Sequence, residues 1–494
     1  MRRLPQLAPL LLLCGVFAGC AVGPNFTKPK PEVPPQWSAT ASQPPEHAAS
    51  RVSAEAPQGD AWWQSFNDPM LTSLVQRSVA ANLDVRKAVV RIEEARAERS
   101  AVASSFWPSL SADARFTRQR FSETTPNGAL FGAASAFPKQ PNGVAITNPF
   151  NQNELGLSLS WEIDLFGRVR RSVEAASAEL VASQEFGHDV LLSLQSDVAR
   201  AYIELRGAQL RHAIAQRSLD TDHELMDLTR ERRDAGLASD LDVASATSQA
   251  NATAAQLPLI DAQISGDINQ LSRLMSREPD ALRSELIAEE PVPPVPPQVP
   301  AGLPSDLARR RPDIRRSEAS LHAETARVGV AVADLFPRLT LTAAGGYQSE
   351  QLSQLVKAAS HFGSFAPALE LPIFDAGRRQ ANIRLQKAKA QEAGIDYART
   401  VLGALHEVEN AMLAYGADQE RRVALEAAVS ANRDALALAR DRYRAGISSF
   451  IDVLDLQRAL QQNEMALGIT TTAVSTDLVQ LYRALGGGWQ SAQP

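Results

Sequence analysis

Between residues 155 and 165 apolar and polar positions alternate. Leu155, Leu157, Leu159, Trp161, Ile163 and Leu165 are separated by Gly156, Ser158, Ser160, Glu162 and Asp164. A period of two with one apolar face predicts a β-strand. Phe365, Pro367, Leu369, Leu371 and Ile373 predict a counterpart, interrupted by Pro367 and Pro372. Shorter alternations over residues 110–116 and 339–347 predict two more strands, so the chain offers two hairpins. Elsewhere the period lengthens. Leu191, Leu194, Val198, Ala201, Leu205 and Ala208 step by three and four, as do Ala398, Val401, Leu405, Val408, Met412 and Tyr415. These seams lie in proline-free stretches, residues 168–233 and 378–444. Each stretch predicts one helix of roughly 99 Å at about 1.5 Å per residue, packed nearly parallel to a neighbour in coiled-coil fashion. Both end at Ala-Gly, at Ala235-Gly236 and Ala445-Gly446, the expected C-terminal glycine stop. A new helix restarts at once from Ser239 with Asp242 and from Ser449 with Asp452, in Ser-x-x-Asp spacing. The chain therefore turns back at a tip far from the strands.

These elements occur twice. Asp84 and Asp313, and Pro108 and Pro337, are 229 positions apart; Gly167 and Gly377, Gly236 and Gly446, Asp242 and Asp452, and Leu271 and Leu481 are 210 apart. The first copy thus carries 19 extra residues between Pro108 and Gly167, an enlarged loop whose turns are marked by Pro126-Asn127-Gly128 and Pro141-Asn142-Gly143. The expected organisation is an N-terminal segment 1–19, an extended arm 20–60, a first repeat 61–276, a Pro-rich connector 277–304, a second repeat 305–486 and a tail 487–494.

Composition narrows the reading. A formal charge of −6 gives no electrostatic case for nucleic acid. The two cysteines, Cys14 and Cys20, both precede residue 21, leaving the rest of the chain without disulfides or cysteine metal clusters. Arg2 and Arg3 followed by an apolar run from Leu7 to Phe17 predict an export signal. Phe17-Ala18-Gly19-Cys20 is similar to a bacterial lipobox with Phe17 in place of an aliphatic residue, which makes Cys20 the expected lipidation site. The alternative is an ordinary cleaved signal with an incidental cysteine. Ala21 stands where an aspartate would signal inner-membrane retention, which favours the outer membrane. Beyond residue 20 there is no apolar run long enough for a membrane helix, so strands or the lipid carry any membrane role. Four strands are too few to close a barrel, since the smallest single-chain barrels need about eight; the chain must share one with copies of itself, unless the sheet is the buried face of a soluble sandwich. The seven histidines show no metal-ligand spacing, and no nucleophile elbow or phosphate-binding glycine loop is present. No reaction, cofactor or metal is expected, and an enzymatic lipoprotein is the weakest alternative.

Cys20-Ala21-Val22-Gly23-Pro24-Asn25-Phe26, Leu303-Pro304-Ser305-Asp306-Leu307 with Arg310-Arg311-Pro312-Asp313-Ile314-Arg315, and Tyr443-Arg444-Ala445-Gly446 together resemble the TolC family of outer-membrane efflux ducts, most closely its lipoprotein branch of the NodT and OprM type. The resemblance implies an α+β membrane protein: a homotrimer sharing a twelve-stranded β-barrel, four strands per chain, on a long α-helical coiled-coil barrel with an irregular equatorial region. It implies a passive exit channel of a tripartite efflux pump, lipid-anchored in the outer membrane with a large periplasmic extension. Its partners would be a periplasmic adaptor and an inner-membrane transporter of the RND type. A protein-secretion duct and a non-conducting structural coiled-coil lipoprotein are the alternatives. Carried over by the resemblance, Asp452 and Asp455 form a carboxylate ring at the periplasmic gate, with Tyr443 and Asp242 bonded between neighbouring helices. Ser448 stands where some members have arginine; Arg444 is the expected substitute, with Asp234 or Asp242 as partner. Asp452 equally fits a plain helix-capping role, because Asp242 repeats it; Asp455 has Ser245 as its counterpart. The run Arg309-Arg310-Arg311 with Arg315-Arg316 reads as a solvated helix start balanced by Asp306, Asp313 and Glu318.

Overall fold

A computed structural model describes residues 21–30, 33–38, 50–53, 55, 61–126, 128–129, 133 and 148–488. The predicted export signal, Cys20, residues 31–32, 39–49, 54 and 56–60 of the arm, the tail beyond 488 and the Pro141-Asn142-Gly143 turn lie outside the described residues. The elements are β1 (Arg51–Ser53), α1 (Pro69–Ala81), α2 (Leu83–Ala103), β2 (Ser109–Gln119), β3 (Phe150–Ile163), α3 (Arg168–Asp234), α4 (Asp240–Ala254), α5 (Leu257–Leu274), β4 (Gln298–Pro300), α6 (Pro312–Ala333), β5 (Arg338–Ser349), β6 (His361–Glu370), α7 (Arg378–Arg444) and α8 (Phe450–Ala484), with single helical turns at Arg283–Leu286 and Leu307–Arg310. The repeat is carried into the fold at the same offsets: α2 and α6, and β2 and β5, begin 229 residues apart; α3 and α7, and α4 and α8, begin 210 apart. Both long helices contain 67 residues. Two differences come from proline. β6 ends at Glu370, so Leu371 and Ile373 leave the predicted strand, because Pro372 has no N–H for the ladder. Pro367 is tolerated since β6 is an edge strand. In the first copy the returning helix breaks at Ala255 and Gln256, and Pro258 sits in the first turn of α5, whereas α8 runs unbroken for 35 residues.

The chain divides into two compact units, each drawing on both repeats. The first comprises residues 1–28, 94–180 and 319–394. It holds a four-stranded antiparallel sheet in the order β2-β3-β5-β6. Register decides its character. Leu110 pairs with Leu159, which pairs with Ala343, which pairs with Phe365; Ala112, Leu157, Gly345 and Gly363 form the next row. Ser111, Ser158, Ala344 and Ser364 make a row on the opposite face. Opposed residues share a face, so one side carries Leu110, Phe116, Leu155, Leu157, Phe365 and Leu369, all exposed in the single chain. Residues 21–26 are docked in the same unit. Val22 N–H donates to the Phe166 carbonyl at 3.1 Å, Arg171 Nη2 to Asn25 Oδ1 at 2.6 Å, and the Phe26 ring stacks on His322 at 4.3 Å. A side chain at Gly23 would place its Cβ 2.6 Å from the Gly329 Cα.

The second unit comprises residues 29–93, 181–318 and 395–494. Its core is built on Phe66, Leu71, Leu74, Ile203, Leu205, Ile268, Leu271, Leu282, Leu286, Leu478 and Leu481, all fully buried or nearly so. The Pro-rich connector is fastened by Arg206, which is 1% exposed and donates to the Ala288 carbonyl at 2.7 Å. Its extended end pairs with the arm: β4 lies parallel to β1, a contact the composition of either segment does not announce. The arginine run is only partly solvated. Arg309 pairs with Asp306 at the surface, but Arg311 is buried, bonded twice to Asp313, to Glu407 at 2.7 Å and to the Ala484 carbonyl at 3.0 Å. A buried guanidinium needs all these acceptors, which makes Arg311 a tie between segments far apart in sequence. Arg315 likewise pairs with the buried Glu185 at 2.6 Å.

Candidate functional site at the helical tip

The tip is made of the two turns that end α3 and α7. Gly236 and Gly446 have φ of +73° and +75°, which only glycine adopts without strain. Leu237 N–H reaches the Arg232 carbonyl and Ile447 N–H the Arg442 carbonyl, at 2.7 and 2.8 Å, closing both helices in the same manner. Ser239 and Ser449 then cap α4 and α8 through complete capping boxes. The backbone N–H of Ser239 donates to Asp242 Oδ2 at 2.9 Å, and that of Ser449 to Asp452 Oδ2 at 3.1 Å.

Those caps decide where the expected gate residues stand. Asp242 is held by Ser239, its hydroxyl donating at 2.8 Å. Within one chain the Tyr443–Asp242 bond is not made. Tyr443 is buried in a small cluster with Leu225, Leu436, Val453 and Leu454, and its hydroxyl has no partner. Its ring lies under the Arg232 guanidinium at 4.6 Å and tilts against Phe450 at 5.7 Å. Arg232 also donates to the Arg444 carbonyl at 3.1 Å. Arg444 pairs with neither Asp234 nor Asp242; its carboxylate is Asp441 at 3.7 Å, while Asp234 is taken by Arg233 at 2.6 Å. A partner three residues away on the same helix costs less ordering entropy than one on another helix, so the local pairs form. Ser448 donates to the Ala439 carbonyl at 3.4 Å. Asp455 stays free of the cap: its side chain is 70% exposed, with Arg458 3.9 Å away. Asp452 and Asp455 share the exposed side of α8, opposite the buried Val453, Leu454 and Gln457.

Two features were not anticipated. Arg232 is one; the 210-residue offset pairs it with Arg442, the only sequence signal for it. The other is a polar seam behind the tip. Asp222 of α3 is 2% exposed and accepts from Thr253 of α4 at 2.7 Å. Gln461 of α8 donates to the same Thr253 hydroxyl, and Gln249 of α4 donates to Gln461, both at 3.2 Å. Burial pushes the Asp222 carboxyl above the usual range, against the pull of Thr253, Gln249 and Gln457. Isolated polar residues on a helical stripe give no sign of which partners they meet.

An amphipathic sheet with both edge strands unpaired among the described residues, on a chain whose two 67-residue helices end in matching capped turns, defines the class of membrane-channel subunits that complete a barrel by assembly. The chain belongs to the outer membrane efflux protein family, which it matches over residues 74–277 and 303–487. It is 32% identical over 491 residues to the probable efflux pump outer membrane protein TtgC of Pseudomonas putida, covering 98% of this chain and 96% of that protein. It is 30% identical over 478 residues to nodulation protein T of Rhizobium leguminosarum bv. trifolii, covering 96% of each. The solved outer-membrane channel OprN superimposes with a TM-score of 0.83 at 35% identity, over 95% of this chain and all of that one.

Proposed function

We propose that this chain is the outer-membrane exit channel of a tripartite efflux pump, passively conducting what an inner-membrane transporter expels through a periplasmic adaptor. The observation that carries the reading is the register of the sheet. Strands of 11, 14, 12 and 10 residues suffice to cross a bilayer at about 9–11 tilted residues, and their pairing gathers the apolar side chains on one face. Four such strands with two open edges complete a wall when three chains contribute twelve. No helix among the described residues is long and apolar enough to cross a membrane, so the sheet is the spanning element. Cys20 is the proposed lipid attachment, one residue before the docked segment. The transporter is proposed to be of the RND type. The names of the relatives favour efflux over secretion.

At the tip, Asp455 and Asp452 are the proposed gate carboxylates. In a trimer they supply six negative charges around one axis, which attract cations and repel one another. Asp452 also serves its helix cap, so Asp455 is the sharper assignment. Asp455→Ala, alone and with Asp452→Ala, is expected to raise single-channel conductance and lower cation selectivity in planar bilayers. Conductance and selectivity equal to the parent's would remove the gate assignment; absence of any current from the purified parent would remove the channel itself.

A further inference from the structure

A cavity of about 390 Å³ opens between α3, α7 and α8 in the second unit. Its charged lining is three guanidinium groups, Arg217, Arg433 and Arg440, against one carboxylate, Glu464. Arg433 is already spent on Glu464, at 3.0 Å from Nε and 2.6 Å from Nη2. Arg440 is not. Its Nη2 donates to Gln457 at 3.2 Å, while its Nε is buried and has no partner. Burial pushes the Arg440 guanidinium below its usual range; Glu224 and Asp222 pull it back but make no ion pair with it, and Asp222 is engaged by Thr253. Arg217 is exposed, and Ser218 and Thr221, on the same helix, also line the cavity.

A half-buried cation without a counter-ion is costly, and a space this size, at about 30 Å³ per water, admits an oxyanion with its waters. Guanidinium forks and hydroxyl donors are the chemistry that recognises carboxylate and phosphate. We propose that this cavity is an oxyanion site, in which a carboxylate or phosphate-type group seats between Arg217 and Arg440 and accepts from Ser218 and Thr221. Such a group ties α3, from the first repeat, to α7 and α8, from the second, next to the seam that supports the tip. The inference deepens the channel reading, on which its consequence for the tip rests. The anion is either a small free solute or an acidic side chain presented by a protein partner; the chemistry is the same.

The test uses the full-length trimer in nanodiscs, titrated calorimetrically with malonate, inorganic phosphate and N-acetyl-glutamate amide, with chloride at matched ionic strength as reference. Saturable binding of at least one probe is expected, weakened at least tenfold by Arg217→Gln combined with Arg440→Gln. Should that double variant not assemble, Arg440→Lys, which keeps the charge but not the fork, is expected to weaken binding three- to tenfold. Preference for the glutamate mimic assigns the site to a partner's side chain, and preference for phosphate to a free anion; either supports the oxyanion chemistry. Binding no stronger than chloride, or equal binding by parent and variants, overturns the proposal. Current through the same parent preparation in planar bilayers separates failure of this site from failure of the channel reading.

Discussion

Asp477 of α8 lies against Asp418 of α7, and burial together with that neighbouring carboxylate pushes it from 3.8 up to about 7. Two close carboxylates resist carrying two charges, so the pair titrates as a unit. The folded chain keeps a proton up to near pH 7 that the unfolded chain releases near 3.8. Folding therefore takes up a proton in that window, and stability falls as pH rises through it. Asp477→Asn is expected to flatten this slope, leaving the variant more stable than the parent at pH 8 by on the order of 1 kcal/mol after allowing for solvent screening of a half-exposed group. Thermal unfolding at pH 5 and pH 8 measures it, and parallel slopes would refute it. Glu174 behaves oppositely. Burial opposes its charge, but His322 and Arg171 hold its carboxyl below the usual range, so its contribution is present above its ordinary value and lost as pH falls through the lowered one. The docked segment beside it is sensitive at a single atom: Gly23 has φ +90° and no room for a Cβ. Gly23→Ala is expected to expel residues 21–26, costing about 1–3 kcal/mol, and limited proteolysis within residues 21–30 should accelerate several-fold.

At the scale of elements, the ends of the long helices are set by contacts of three to five residues. Gly446 and Ser449 stop one helix and start the next through bonds confined to residues 442–452. Ser449→Ala removes the hydroxyl that caps α8 and is expected to cost about 1 kcal/mol, read as faster amide exchange over residues 450–454 with the far end of α8 unchanged. These ends were legible in the sequence because the residues that make them are neighbours, and so was the 229-to-210 step in the repeat. β6 was read too long because apolar alternation continues through Leu371 and Ile373, while the ladder answers to the N–H that Pro372 lacks. Tyr443 was legible as a tip residue, but its contact within the chain was not: Asp242 is held by its own cap, and the Tyr443 ring lies under Arg232 of α3.

At the scale of the whole molecule, the sheet makes the sharpest demand. Leu157 lies on the apolar face, in one row with Ala112, Gly345 and Gly363; Thr342 lies on the other, opposite Ser160. Leu157→Arg is expected to destabilise the barrel by about 2–4 kcal/mol if near the bilayer midplane and to deplete the trimer band on a seminative gel. Thr342→Arg, facing the lumen of the proposed barrel, should leave that band intact. Equal loss from both would mean that the two faces do not differ in environment.

Periodicity, glycine stops, capping serines and the internal repeat were determined by the sequence alone, since each depends on backbone sterics and bonds reaching a few residues along the chain. The tertiary structure decided the rest. It chose the register that aligns Leu110, Leu159, Ala343 and Phe365 in one row, the burial of Arg311 between Asp313 and Glu407, the docking of residues 21–26 and the seam around Asp222. Nearly all of these join residues well beyond one another's local neighbourhood, as far as Leu159 from Ala343 and Asn25 from Arg171, where the loss of chain entropy on closing the loop is repaid only by the whole set of contacts formed together, and no local pattern can announce which partner each residue will meet.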